Sequence, residues 1–281
     1  MITIQNDRIS VEIDPLGAEM KRITVDGEER LWHGDPAFWA GRAPVLFPFC
    51  GGLKDDRFTY QGNSYTVAKH GFARFMQFEP IKVTPQSAVF CLTSNAETLR
   101  QYPWAFELQI SYTLRGGHLD IGYTVKNQSD DVMYMSIGSH EAYACPEGIE
   151  DYDLIFEKKE TLRACALEGN LIAHRTDTVL LDSDTLPLYE KYFAVDALVF
   201  KDVKSRFVTL RNRKTGKSVS VDFHGSDYLL LWTKPGAGYL CIEPWTGIPP
   251  MVDAGDDITE KEGITAVDPG EAFRVKHTIQ F

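Results

Sequence analysis

Three polar residues stand where the surrounding pattern predicts apolar side chains. His70 and His140 lie in short runs that contain glycine and aromatic residues, and Glu243 directly follows the apolar segment 239–242. A carboxylate at the end of a buried strand must be hydrogen-bonded or functional, because burying a bare charge is costly. Imidazole and carboxylate groups are common carriers of protons in general acid–base catalysis. Taken singly, each of the three residues is more often structural than functional.

The usual motifs of metal, nucleotide and nucleophile sites are missing. His140-Glu141 lacks the second histidine of an H-E-x-x-H zinc motif, and Gly236-Ala237-Gly238 lacks the third glycine of a dinucleotide site. There is no G-x-x-x-x-G-K-S/T phosphate loop and no G-x-S-x-G nucleophile elbow. Redox and nucleotide chemistry are therefore disfavoured.

Composition and charge narrow the class of protein. The 281 residues are 43% hydrophobic and 25% charged, enough to bury a sizeable core. A net charge of −11, spread along the chain, would repel phosphate backbones, so we expect no nucleic-acid partner. We find no secretory pattern at the start and no apolar run long enough to span a bilayer. These two observations predict a cytoplasmic protein without a membrane partner, and five cysteines without a C-x-x-C pair predict reduced thiols.

Short stretches of alternating apolar and polar residues predict an all-β protein. Segments 2–5 and 9–13, 58–60 and 65–67, and 106–114 and 119–125 each read as two strands joined by a turn. Further strands are predicted at 207–210, 218–223, 228–232, 239–242 and 273–281. Without a βαβ alternation or a linker, we predict one large antiparallel β-sandwich domain over residues 1–281.

Helices are predicted to be few and short. Asp35-Pro36 fits an N-cap followed by proline, and Ser94 with Glu97 forms a capping-box pattern whose helix must stop before Pro103. Residues 148–191 alternate least clearly, so we expect loops and irregular strands there.

Five segments, in order, resemble the aldose 1-epimerase family, most closely its lactose-operon-associated branch. They are 43–51 (APVLFPFCG), 69–74 (KHGFAR), 137–143 (IGSHEAY), 193–200 (FAVDALVF) and 241–247 (CIEPWTG). The resemblance covers nearly the whole chain and implies the galactose mutarotase-like supersandwich. It also implies interconversion of the α and β anomers of free aldoses, without metal or cofactor.

The resemblance assigns roles to four residues. Glu243 matches the family's general base and His140 its general acid, while His70 and Asp196 match residues that bind the sugar. Opening a cyclic hemiacetal requires such a pair, because the anomeric hydroxyl loses a proton while the ring oxygen gains one. We expect Glu243 to be ionised and His140 to be protonated, with each charge supporting the other. Trp232 is close enough in sequence to Glu243 to line a sugar pocket.

The sugar itself is left open by the sequence. Lys54 aligns within one position of an arginine that binds sugar hydroxyls in galactose mutarotases, but lysine lacks the planar fork. Arg42 and Arg74 lie near the positions where the related hexose-6-phosphate mutarotases hold phosphate. A phosphorylated sugar is therefore an alternative to a free hexose or related aldose, and a non-catalytic carbohydrate-binding or regulatory protein is a second. Exposed edge strands would permit a homodimer as well as a monomer.

Overall fold

The computed structural model describes residues 1–281 and consists mainly of antiparallel strands. The strands are β1 (Ile2–Gln5), β2 (Ile9–Asp14), β3 (Glu19–Val25), β4 (Glu28–Glu29), β5 (Arg57–Tyr60), β6 (Asn63–Thr66), β7 (Glu79–Thr84), β8 (Ser87–Thr93), β9 (Phe106–Arg115), β10 (His118–Asn127), β11 (Met133–Met135), β12 (Glu141–Ala144), β13 (Tyr152–Glu168), β14 (Leu171–Pro187), β15 (Leu198–Phe200), β16 (Phe207–Asn212), β17 (Ser218–Asp222), β18 (Tyr228–Trp232), β19 (Tyr239–Trp245), β20 (Thr265–Val267) and β21 (Ala272–Gln280). One α-helix, α1 (Ala96–Gln101), and five short 3-10 turns (Lys54–Asp56, Ala73–Phe75, Ile149–Asp151, Glu190–Phe193 and Ile258–Glu260) complete the chain. The predicted all-β antiparallel fold is confirmed.

A 13-stranded sheet carries most of the molecule. Its strands run in the order β12-β19-β18-β15-β13-β16-β17-β21-β10-β9-β8-β7, and β14 pairs with β13. A four-stranded sheet of β1 to β4 and two two-stranded ribbons, β5-β6 and β11-β20, accompany it. The three predicted hairpins form β1-β2, β5-β6 and β9-β10. No helix is long and apolar enough to cross a membrane.

Alternation of side chains places one face of each long strand in the core. Burial in β9 and β10 switches at every second residue, and the buried members join a core of 63 residues. The segment β12-β19-β18-β15 is buried on both faces. Its main-core face carries Ile242, Leu240 and Leu231, whereas its other face carries Leu230 and Val199 in a separate cluster.

Two helix predictions need correction. The residues after Asp35 form one turn only, in which Phe38 and Trp39 both donate to the Asp35 carbonyl. The chain leaves this turn because the Trp39 carbonyl accepts a hydrogen bond from the Trp32 indole at 2.8 Å. The capping box at α1 does exist, but its N-cap is Asn95.

The capping box lies one residue further along the chain than the sequence pattern indicated. The Asn95 side chain accepts from the backbone N–H of Thr98, and the Thr98 hydroxyl accepts from the Asn95 backbone N–H. Ser94 and Glu97 therefore do not form the reciprocal pair.

The irregular strands predicted for residues 148–191 are present, but most of the region is strand rather than loop. The region forms β13 and β14, two paired strands of 17 residues each. Their pairing shifts register at four places, between residues 155 and 167 of β13. Each shift interrupts the two-residue period, so alternation is lost from the sequence although the strands persist.

Candidate active site

A cavity of about 310 Å³ opens over the outer face of β12, β19, β18 and β15. It is lined by Trp39, Gly51, Lys69, His70, Arg74, His140, Leu167, Asn170, Asp196, Ala197, Val199, Leu230, Trp232, Glu243, Trp245 and Pro249. Six of the eight predicted site residues are therefore brought together, from segments far apart in sequence. The two that are absent are Lys54 and Arg42.

Strand register places His140 beside Glu243. Glu141 of β12 pairs with Ile242 of β19, so the preceding residue of β12 lies opposite the residue that follows Ile242. Side chains at opposed positions share a face of the sheet, because the side-chain period is two. The His140 Nε2 atom is 3.5 Å from the Glu243 Oε2 atom. Leu230, which pairs with Glu243 from β18, continues the cavity floor.

Burial opposes charge on both members of this pair. The Glu243 residue is 1% exposed, and burial, supported by the nearby charge of Glu141, raises the pKa of its carboxyl well above the ordinary value. Burial also lowers the pKa of His140 to about 3. The pair therefore favours a state with no net charge, in which it holds one proton on the carboxyl. This differs from the mutual support of two charges that the sequence led us to expect.

Aromatic rings exclude water from His140. The Trp39 ring lies over the imidazole with centroids 4.8 Å apart and an interplanar angle of 30°, and Trp232 meets it edge-on at 5.6 Å. These rings account for the low exposure of His140, which is 8%. They also supply an apolar wall of the kind on which sugar faces pack.

His70 is held by a strained loop at the cavity wall. Its φ is +68°, a conformation that residues other than glycine seldom adopt, and Gly71 follows with φ +70°. A Cβ at Gly71 would lie 2.1 Å from the Phe47 carbonyl oxygen, so only glycine fits there. The Gly51 N–H donates to His70 Nδ1 at 3.2 Å, which leaves Nε2 as the protonated, donating nitrogen. Burial lowers the pKa of His70 well below its ordinary value, in agreement with a neutral ring.

Lys69 and Asp196 form a charged pair at the cavity mouth. The Lys69 Nζ atom is 3.8 Å from Asp196 Oδ2, and both side chains are partly exposed. The other carboxylate oxygen of Asp196 accepts from the Ala197 N–H at 2.8 Å, which fixes the rotamer. Lys69 supplies a positive charge that opposes the rise in the pKa of Glu243.

Of the two arginines predicted at the site, Arg74 lines the cavity and Arg42 does not. Arg74 lines the cavity and donates from Nη2 to the Lys69 carbonyl at 3.0 Å, while its buried Nε makes no hydrogen bond. Arg42 lies outside the cavity, where its guanidinium donates to the Lys21 carbonyl. Lys54 is exposed on the 3-10 turn Lys54–Asp56. The structure therefore brings neither Arg42 nor Lys54 to the sugar site expected for them.

Three polar or aromatic cavity residues were not identified from the sequence. They are Trp39, Lys69, which stood in the sequence only as the neighbour of His70, and Asn170, which lies in the turn between β13 and β14. Asn170 reaches the cavity because Gly52 lacks a side chain; a Cβ at Gly52 would lie 2.7 Å from the Asn170 Cβ. The adjacent lysine and histidine were the one sequence signal that pointed to Lys69.

The fold is a galactose mutarotase-like β-sandwich, with a buried imidazole–carboxylate pair under its cavity. The sequence model of the aldose 1-epimerase family matches residues 1–280, so the chain belongs to this family and is an isomerase. It is 34% identical to the chromosomal protein LacX of Lactococcus lactis subsp. lactis over 296 aligned positions, which cover 99% of this chain and 98% of LacX.

Solved structures agree with this family. A galactose mutarotase related enzyme from Lactobacillus acidophilus superposes with a TM-score of 0.95 at 32% identity, covering 99% of this chain and 96% of that one. A galactose mutarotase-like protein from Lactobacillus casei ATCC 334 gives a TM-score of 0.94 at 26% identity, covering 100% and 99%. The resemblance found in the sequence is confirmed.

Proposed function

We propose that the protein interconverts the α and β anomers of a free hexose or related aldose, with Glu243 and His140 as the proton-transfer pair. The observation that carries this proposal is the 3.5 Å approach of His140 Nε2 to Glu243 Oε2 at the floor of an open cavity. A buried carboxylate and imidazole at this separation can exchange protons with two oxygens of one small ligand.

The chemistry needs one proton on the pair. In the ring-opening direction, ionised Glu243 removes the proton of the anomeric hydroxyl while protonated His140 gives one to the ring oxygen. The bond between C1 and the ring oxygen then breaks and leaves the open-chain aldehyde. Rotation about the C1–C2 bond and reversal of both proton transfers closes the ring on the other face. The neutral pair that burial favours has the same proton count, so moving its proton from Glu243 to His140 produces the reactive form.

Three further side chains are suited to hold the sugar. Neutral His70 offers its Nε2–H as a donor, and the Asp196 carboxylate accepts from hydroxyl groups. Lys69 donates to oxygen and favours the ionised form of Glu243. Because positioning converts a bimolecular encounter into a unimolecular step, these contacts raise the rate of ring opening as well as the affinity.

Charge in the cavity favours an unphosphorylated sugar. A phosphate group would meet the carboxylate of Asp196, and the Arg74 guanidinium already donates one hydrogen bond to the Lys69 carbonyl. Arg42, the second arginine expected for a phosphate, lies outside the cavity. A hexose 6-phosphate is the second candidate because Lys69 and Arg74 both line the wall and the Arg74 Nε is unpartnered.

Polarimetry on freshly dissolved α-galactose and α-glucose, and NMR exchange for their 6-phosphates, tests the proposal. We expect the wild-type protein to accelerate anomer exchange of a free sugar. The Glu243→Gln variant is expected to be slower by a factor of about 10²–10⁴. Glu271→Gln, at an exposed position before β21, is the matched control and retains the rate. Equal rates for wild type and Glu243→Gln on every sugar would reject the role of this pair.

We also propose that residues 1–281 act as one domain on a monosaccharide in the cytoplasm. Five free cysteines, four of them buried, support a reducing compartment. Whether the protein works as a monomer or as a homodimer stays a prediction, and light scattering at catalytic concentration distinguishes the two.

A further inference from the structure

Cys241 lies beside the proton-transfer pair and has no part in the chemistry proposed above. It precedes Glu243 by two residues on β19, so the two side chains share a face of the sheet. Ligand atoms of His140, Cys241 and Glu243 all lie within 4.8 Å of one another. The three residues are buried, with exposures of 8%, 0% and 1%.

Two of the three residues in this cluster each have a buried atom without a hydrogen bond. The Nδ1 atom of His140 and the Oε2 atom of Glu243 are buried and make no hydrogen bond. Cys241 is a free thiol. Buried polar atoms are normally satisfied, so these two atoms have unused capacity to bind a ligand.

The donor set identifies the class of partner. Imidazole nitrogen, thiolate sulfur and carboxylate oxygen together suit Zn²⁺, whereas Mg²⁺ and Ca²⁺ prefer oxygen alone. We propose that His140, Cys241 and Glu243 bind one Zn²⁺ ion, whose fourth position faces the cavity. Bond lengths of about 2.0–2.3 Å require the three ligand atoms to draw together by about 1 Å, within reach of side-chain rotation.

The site remains electrically neutral when this ion binds. Binding displaces the thiol proton of Cys241 and the single proton of the His140–Glu243 pair, and both protons go to solvent. The resulting thiolate and carboxylate carry two negative charges, which neutralise a divalent cation in a site where net charge is costly.

The ion would inhibit mutarotation. It occupies both the base and the acid, so neither can exchange a proton with a sugar; this consequence rests on the proposed function. Binding itself does not rest on that function, and a spectroscopic probe can follow it independently.

Cobalt(II) provides that probe for the untagged protein. We expect Co²⁺ to produce a thiolate-to-metal charge-transfer absorption that Zn²⁺ abolishes by displacement. Cys241→Ser removes this absorption and weakens Zn²⁺ binding in calorimetry by at least about tenfold. Cys145→Ala, a change at another fully buried free thiol outside the cluster, leaves both unchanged. His140→Asn, which removes the nitrogen ligand, provides a second variant if Cys241→Ser does not fold.

Zinc inhibition is measured on the same proteins. We expect Zn²⁺ to stop anomer exchange by wild type and Cys145→Ala at concentrations that leave Cys241→Ser active. The site is rejected if the wild type shows no charge-transfer absorption, or if that absorption survives in Cys241→Ser. If the absorption behaves as expected but no protein exchanges anomers, the metal site stands and the proposed function fails.

Discussion

Replacing Glu243 with glutamine tests the charge state of the buried pair through stability. Burial, followed by the charge of Glu141, raises the pKa of Glu243 well above its ordinary value. The folded protein therefore keeps this proton after the unfolded chain has lost it near about pH 4.3. Above that pH the folded state binds more protons than the unfolded state, so the wild type loses stability as pH rises. Glutamine has no such proton, so the stability of Glu243→Gln relative to wild type increases with pH.

The size of the effect follows from proton linkage. Each pH unit between the unfolded and the folded pKa of Glu243 changes the difference in unfolding free energy by about 1.4 kcal/mol. Domains have a total stability of about 5–15 kcal/mol, so this change is readily measured.

His140→Asn provides the opposite dependence. Burial lowers the pKa of His140 to about 3. Below about pH 6.5, His140 is therefore protonated in the unfolded chain but stays neutral in the folded protein. The wild type therefore loses stability as the pH falls. The stability of His140→Asn relative to the wild type increases as the pH falls from about 6.5 toward about 3.

Urea denaturation followed by circular dichroism, repeated across pH for wild type and both variants, measures these slopes. A neutral pair gives a variant-minus-wild-type difference that rises with pH for Glu243→Gln and falls with pH for His140→Asn. An ion pair would reverse both signs, because each charge would then be more stable in the folded protein than in the unfolded chain. Reversed or flat differences refute the argument from burial.

Three further changes test the walls of the cavity. Trp39→Ala exposes the imidazole of His140 to water, so we expect the pKa of His140 to rise from about 3 toward its ordinary value in an NMR titration. If the pKa does not rise, the Trp39 indole is not what keeps water from His140. We expect Lys69→Met to raise the KM for hexose by about tenfold. Lys54→Met, on the exposed turn, is the control and should change the KM by no more than about twofold. Equal effects of the two variants in steady-state kinetics would contradict the placement of Lys69 at the sugar. Glu141→Gln removes a charge that raises the pKa of the Glu243 carboxyl, so on the proposed mechanism the alkaline limb of kcat/KM moves to lower pH. An unmoved limb would show that this charge has no influence across the sheet.

The sequence predicted the elements whose patterns are local. Alternation over 106–114 and 119–125 appears directly as β9 and β10, because their pairing is regular and one face of each is buried. The long hairpin of β13 and β14 was missed because its register shifts break the same pattern. Local alternation therefore identifies regular strands and fails where bulges intervene.

The site was predicted less completely, because its residues are far apart in the sequence and only the fold brings them together. His140 and Glu243 stood out as polar residues in apolar runs, but only the pairing of β12 with β19 brings them within 3.5 Å. Asn170 carries no local signal, since its position depends on the whole hairpin. Lys54 was expected at the sugar because of its alignment, yet it lies on the exposed 3-10 turn Lys54–Asp56, which follows the buried residues Gly52 and Leu53.

A second buried pair explains why β12 and β19 keep the register that the site needs. Glu141 follows His140 and therefore faces the opposite side of the sheet, where its Oε1 atom is 3.2 Å from Nε2 of His277 on β21. A slip of one residue would turn Glu141 toward the cavity and His140 toward the core, and would leave His277 buried without its carboxylate. Leaving a buried polar group without its partner costs about 1–3 kcal/mol, so the slipped register is disfavoured. The Glu141–His277 contact on the core face thereby keeps His140 opposite Glu243 on the cavity face.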